Sequence, residues 1–239
     1  MHSVRWAGDT DTFRNVSGRR SVPGSSRGLV MLAGWTGTVD YWAEGENGIT
    51  VTKGLADYER ERGVLTASCA VDSTWGNATI RNRITALIDG NQTSGYWPTG
   101  KVHVFGNSMG SICAAKWALE NPTKIASLGL SLFPPDIQTL YDRNALGSQS
   151  SLGAAYGGER PPDDENPMKR TDEFAAMGIP IKIWFSDNDT VTPLSETLAF
   201  GLAVGDAVTG VSMGSVGHTW GDFSVFNGAA LADFIRSAP

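Results

Sequence analysis

The stretch KVHVFGNSMGSICAAKWALENP, residues 101–122, constrains the fold more than any other part of the chain. An apolar, β-branched run leads straight into Gly-Asn-Ser-Met-Gly, and a helical pattern starts at once on the far side. Residues 106–110 fit G-x-S-x-G, a pattern whose mechanics require a strand before it and a helix after it. Glycines at 106 and 110 remove side chains, so strand and helix approach closely while Ser108 occupies a sharp, strained turn with its hydroxyl exposed. A glycine-rich turn with an incidental serine fits the same letters, so the question passes to Ser108's partners.

A serine hydroxyl is a poor nucleophile unless a base takes its proton, and the base needs an orienting acid. The chain has three histidines. His2 lies at the chain end, His103 lies inside the strand that leads to the turn, and His218 lies in SVGHTWGDF, just past the last strand-like run. His218 is therefore the expected base, and His103 a half-buried strand residue. For the acid, FSDNDTVTP follows the strand-like IKIWF and puts Asp187 and Asp189 at its C-terminal edge. Asp189 is the expected acid and Asp187 a turn-stabilising residue.

The rest of the pattern alternates. Strand-like runs at 28–32, 63–71, 101–105, 125–132, 181–185 and 207–213 are short and rich in β-branched residues. Helical segments are expected at 48–61, 78–88, 109–120, 193–203 and 225–237, the third stopped by Asn-Pro. Alternating strand and helix predicts an α/β domain spanning 1–239, with a mostly parallel central sheet covered by helices on both faces. The opening VRWAGDTDTFRNVSG looks like two antiparallel strands. Residues 133–178, rich in Gly, Pro, Ser and acids, interrupt the rhythm and are expected to form a lid, an Ω-like excursion or a disordered loop.

Charge and hydropathy exclude several function classes. The formal charge is -6 with no run of Lys or Arg, which leaves no footprint for nucleic acid or anionic lipid. No apolar stretch approaches the roughly 18 residues of a membrane span, and the N-terminus lacks a basic-then-apolar leader. A soluble protein without a visible export signal is expected. Cys69 and Cys113 have no metal-like spacing and allow either a single disulfide or two buried thiols, the second being the expectation. The N-x-S/T triplets at Asn15, Asn77, Asn91 and Asn188 are too common by chance to indicate glycosylation. No metal or cofactor is implied.

LAGWTG after the first long strand, GNSMG, SDNDTVTP and GHTW together resemble the α/β-hydrolase superfamily over nearly the whole chain, and the order Ser108, Asp189, His218 is that family's triad order. The resemblance implies a serine esterase that hydrolyses carboxylic esters through an acyl-enzyme. It also implies an oxyanion hole built from the backbone N–H groups of Trp35 and Met109, with Thr36 as a further contributor. Many relatives carry His-Gly where this chain has Ala33-Gly34, so the support behind that loop differs here. Eight tryptophans are many for 239 residues. Trp35, Trp75 and Trp220 fall on loops after strands, with Trp42 close by in sequence, and Trp75 and Trp220 are candidate substrate contacts. The polar composition of 133–178 favours a soluble ester over bulk lipid. DIQTLYDRN followed by AAYGG is similar to segments of hydrolase-type tail proteins and lysins of actinobacterial phages. That similarity implies a cell-envelope or polysaccharide ester and a virion-associated location in place of a cytoplasmic one. A peptidase or amidase using the same triad, and a catalytically silent binding or tail module, are the competing expectations.

Overall fold

The computed structural model describes residues 2–4, 12–16, 27–35, 64–219, 226 and 228–238. Its strands are β1 (His2–Val4), β2 (Thr12–Val16), β3 (Arg27–Leu32), β4 (Val64–Cys69), β5 (Val102–Asn107), β6 (Ile125–Ser131), β7 (Ile181–Phe185) and β8 (Val208–Ser212). They form one sheet in the order β1-β2-β4-β3-β5-β6-β7-β8. From β4 to β8 every pairing is parallel, whereas β1 and β2 join as the expected antiparallel pair at one edge.

Period-two alternation explains why both faces need cover. Val30 and Leu32 point into one apolar cluster with Val104 and Ile183, while Leu29 and Met31 point into the other with Phe105 and Trp184. The first cluster packs against α1 (Ala78–Thr93), α2 (Met109–Glu120) and α6 (Leu194–Val204); the second packs against α7 (Gly228–Ser237) through Leu231, Phe234 and Ile235. Cys69 and Cys113 are both buried in the first cluster, and desolvation pushes the Cys113 thiol up to about 11. The expected helix at 48–61 lies outside the described residues. Helix α1 runs one turn beyond the expected end at 88: the buried Asn91 side chain donates to Leu87 O at 2.7 Å, and Ser94 N closes the end on Gly90 O at 3.1 Å.

The segment between β6 and β7 is largely helical, which overturns the disordered loop among the three expectations for it. It holds α3 (Ile137–Arg143), α4 (Ser148–Ala155), α5 (Thr171–Ala176) and three short 3-10 turns. Side-chain caps make these short helices possible. Asp136 accepts from the N–H groups of Gln138 and Thr139, and the fully buried Asn166 ties Ile137 N, Asp136 and Gln138 into one hub.

His103 sits beside its cross-strand partner Ser127, with Nδ1 and the hydroxyl 2.7 Å apart, and is 3% exposed. Desolvation, with a smaller contribution from Arg27, lowers its pKa from 6.5 to about 4. The unfolded chain therefore takes up this proton first as pH falls, and the stability of the neutral form is lost between about 6.5 and about 4. That loss amounts to about 3 kcal/mol over the window. His103→Gln is expected to flatten this part of the profile of urea midpoint against pH; equal slopes in both proteins would refute the assignment.

Candidate active site

Ser108 links β5 to α2 with φ 51 and ψ -120, a left-handed backbone that a non-glycine residue adopts only when its surroundings enforce it. Those surroundings are backbone. Ser108 N donates to Ser131 O at 2.8 Å, and Ser108 O accepts from Ser111 N at 2.9 Å. A Cβ at Gly106 would lie 2.2 Å from Gly110 O, and one at Gly110 would lie 2.3 Å from Ala33 O. Both glycines are thus required by the crossing of strand, turn and helix.

His218 Nε2 lies 2.8 Å from Ser108 Oγ, and His218 Nδ1 lies 2.7 Å from Asp189 Oδ2. The three residues, 110 and 29 positions apart, meet at the C-terminal edge of the parallel strands. The other carboxylate oxygen of Asp189 accepts from Val191 N at 2.8 Å and Thr192 N at 2.9 Å. With that oxygen occupied and the side chain 1% exposed, Oδ2 has one partner to serve, the imidazole. A proton on Nδ1 satisfies the carboxylate and leaves Nε2 free to accept from the serine, the tautomer this network assigns.

Two loops hold His218 in register. Asn188 Oδ1 accepts from Gly217 N at 2.6 Å and from Ser186 Oγ at 3.0 Å, while Ser186 Oγ accepts from Val216 N at 3.1 Å. Asp187, expected as a turn- or loop-stabilising residue, accepts from Ser212 Oγ at 2.7 Å and so ties its loop to the end of β8. Asn188 had no expected role beyond its N-x-T triplet, because the partner that ties it to the His218 loop, Gly217, lies 29 residues away. The acid loop is also braced from α3, where Arg143 donates to Val191 O at 3.1 Å and pairs with Glu196 at 3.0 Å.

Gly34 brings the loop after β3 against the serine: a Cβ there would sit 3.4 Å from Ser108 Cβ. Met109 opens α2, so its N–H has no helical acceptor, and neither it nor the Trp35 N–H has an acceptor among the described residues. The Trp35 indole donates to Ser73 Oγ at 3.1 Å and packs on Trp75 with ring centroids 5.5 Å apart. Trp75, a candidate substrate contact, is 4% exposed and lies in the core cluster beneath the half-buried Trp35. Trp220, Trp42 and Thr36 lie outside the described residues.

Behind Trp75 is a buried ionic group that sequence reasoning missed. Lys116, 1% exposed on α2, contacts Glu165 and Tyr156, and Glu165 also pairs with Arg81 at 2.8 Å. Desolvation lowers Lys116 to about 8 despite Glu165, whereas Glu165 is held below its usual value by its two cations against its own desolvation. The signal was present: a lysine at i+4 from Ile112 in an otherwise apolar helix has to find a buried partner. A polar surface hollow of about 600 Å³, lined by Glu120, Asp163, Glu165 and Arg170 among others, lies on this side and includes none of the Ser108 constellation. Among the described residues no group of three or more His, Cys, Asp or Glu side chains could hold a metal ion, and no helix is long and apolar enough to cross a membrane.

No family model matches the chain. No curated protein matches it. Solved structures do. Est1E from Butyrivibrio proteoclasticus is 15% identical and superposes with a TM-score of 0.67 over 95% of this chain and 93% of that one. The same protein with ferulic acid bound gives a TM-score of 0.70 at 16% identity, over 95% and 94% of the two chains. The esterase Pf2001 of Pyrococcus furiosus gives 0.64 at 16% identity, over 90% and 84%. The chain has the α/β-hydrolase fold.

Proposed function

We propose that the protein is a serine hydrolase that cleaves carboxylic esters. One observation carries this reading: Ser108 Oγ, His218 and Asp189 form a continuous relay with steps of 2.8 and 2.7 Å on the strained G-x-S-x-G turn of this fold. His218 Nε2 takes the Ser108 proton as Oγ bonds to the ester carbonyl carbon. The N–H groups of Trp35 and Met109 receive the developing oxyanion, each typically worth roughly 10²- to 10³-fold in rate. The intermediate then collapses, and the alcohol leaves with the proton that His218 returns. Water, deprotonated by the same nitrogen, attacks the acyl-enzyme; the carboxylic acid departs and Ser108 regains its proton. Asp189 holds the imidazole in its tautomer and stabilises the developing imidazolium.

The solved esterases named above support an ester substrate, and the one with ferulic acid bound puts feruloyl esters in the first panel tested. Trp35, backed by Trp75, is the proposed aromatic wall of the acyl side, with Trp220 as a further proposed contact.

A fluorophosphonate is expected to label Ser108 in the protein, and Ser108→Ala is expected to abolish both labelling and turnover of chromogenic esters. An acyl-length series run beside acetylated, feruloylated and polymer-linked sugars then defines the substrate. Amide turnover exceeding ester turnover would move the protein to the peptidases, and a folded, unlabelled protein that binds a glycan surface would make it a binding module.

A further inference from the structure

Ser73, Trp75 and Tyr156 connect the loop after β4 to both the segment between β6 and β7 and the loop after β3. Trp75 is a bulky residue with φ 48, followed by Gly76 with φ 76, so two consecutive residues are left-handed. Three hydrogen bonds from the segment's α4 region hold this turn. Tyr156 OH donates to Trp75 O at 2.7 Å, the Trp75 indole donates to Ser151 Oγ at 3.1 Å, and Asn77 Nδ2 donates to Ala155 O at 3.3 Å. From below, Lys116 Nζ donates to the same Tyr156 oxygen and lies 4.7 Å from the centroid of its ring. The lysine stem leaves no room at position 76, where a Cβ would be 2.8 Å from Lys116 Cδ. Burial raises the Tyr156 pKa, which keeps its O–H as the donor to Trp75. On its other side the Trp75 ring supports Trp35, whose indole is tied to Ser73 in the same loop.

We propose that Tyr156, clamped by Lys116, is a positioning residue for the oxyanion loop: it fixes the left-handed Trp75 turn, and the Trp75 indole in turn fixes Trp35 beside Ser108. The inference rests on the ester-hydrolase reading for its catalytic half and on geometry alone for its mechanical half. The Trp35 side chain takes its contacts from the neighbouring loop, through Ser73 and Trp75, and Tyr156 pins that loop in turn.

The test is Tyr156→Phe, which removes one oxygen and keeps the ring. The Trp35–Trp75 pair, with ring centroids 5.5 Å apart and planes inclined by 53°, is expected to give an exciton couplet in far-UV circular dichroism, assigned by its loss in Trp35→Phe. In Tyr156→Phe the couplet is expected to shrink, kcat to fall about 10-fold with KM unchanged, and the rate of Ser108 labelling by fluorophosphonate to fall in parallel, in a folded protein whose Tm drops by several degrees at most because Trp75 O and Lys116 lose a buried partner. That fall stays below the roughly 10²- to 10³-fold cost of losing an oxyanion donor outright. Should Tyr156→Phe fail to fold, Ser151→Ala cuts the indole's own bond to α4, the second hold on Trp75, and carries the same expectations. An unchanged couplet overturns the positioning role. A lost couplet with unchanged labelling overturns its link to catalysis. A wild-type protein that no fluorophosphonate labels overturns the hydrolase reading and the catalytic half together, while the couplet still decides the mechanical half.

Discussion

Asp189→Asn is expected to lower kcat/KM on esters by roughly 10⁴-fold while leaving the fold intact. The reason lies in the two backbone donors that already occupy Oδ1. Val191 N and Thr192 N, at 2.8 and 2.9 Å, require an acceptor, so the amide of the variant has to turn its carbonyl oxygen toward them. Its NH₂ group then faces His218 Nδ1, 2.7 Å away in the native arrangement, and Nδ1 has to become an acceptor. The ring proton moves to Nε2, which now points an N–H at Ser108 Oγ and has no lone pair to receive the serine proton. Steady-state kinetics with a chromogenic ester measures the loss, and the rate of Ser108 phosphonylation reports it independently of substrate choice. A variant that keeps more than a tenth of native activity would show that Asp189 is not the orienting acid.

Gly110→Ala carries the largest expected stability effect. Its Cβ would stand 2.3 Å from Ala33 O and 2.4 Å from Leu32 O, which are backbone atoms at the end of β3 and cannot rotate away as a side chain tip can. Relief requires β3 or α2 to shift, and either motion also displaces the Trp35 loop from Ser108. A destabilisation of about 3 kcal/mol or more is expected, at or beyond the upper end of ordinary overpacking. It would be read as a fall in urea midpoint or as loss of soluble protein. Gly201→Ala is the matched control. That glycine lies inside α6, its Cβ would make ordinary contact with Val208 Cγ1 at 3.5 Å, and helix propensity favours alanine by up to about 1 kcal/mol. A Gly110→Ala protein as stable as this control would show that the tight crossing of turn and strand is not needed.

Much of the site was legible before any coordinates because its chemistry is written locally. A strand, a serine between two glycines and a helix occupy 20 consecutive positions, from Lys101 to Glu120. The chemistry of a serine nucleophile restricts its partners to few residue types, and a chain with three histidines leaves little choice of base. The strand positions were legible for a similar reason: the period of two along β3, β5 and β7 is set by the geometry of an extended backbone, residue by residue. Composition misled where structure depends on caps. The run 133–178 has the look of an irregular loop, but Asp136 and Asn166 supply the missing hydrogen bonds of its short helices and order them.

The sequence alone determined the α/β class, the turn that carries Ser108, and which residues are the candidate base and acid. Each of these follows from interactions within a few positions or from the small number of side chains with the right chemistry. Only the tertiary structure decided that Asn188 latches the His218 loop, that Trp75 lies buried behind Trp35, and that Tyr156 and Glu165 join the segment between β6 and β7 to Lys116 on α2. Those contacts join residues 29 to 49 positions apart, where side-chain packing and buried charge select partners that no local pattern encodes.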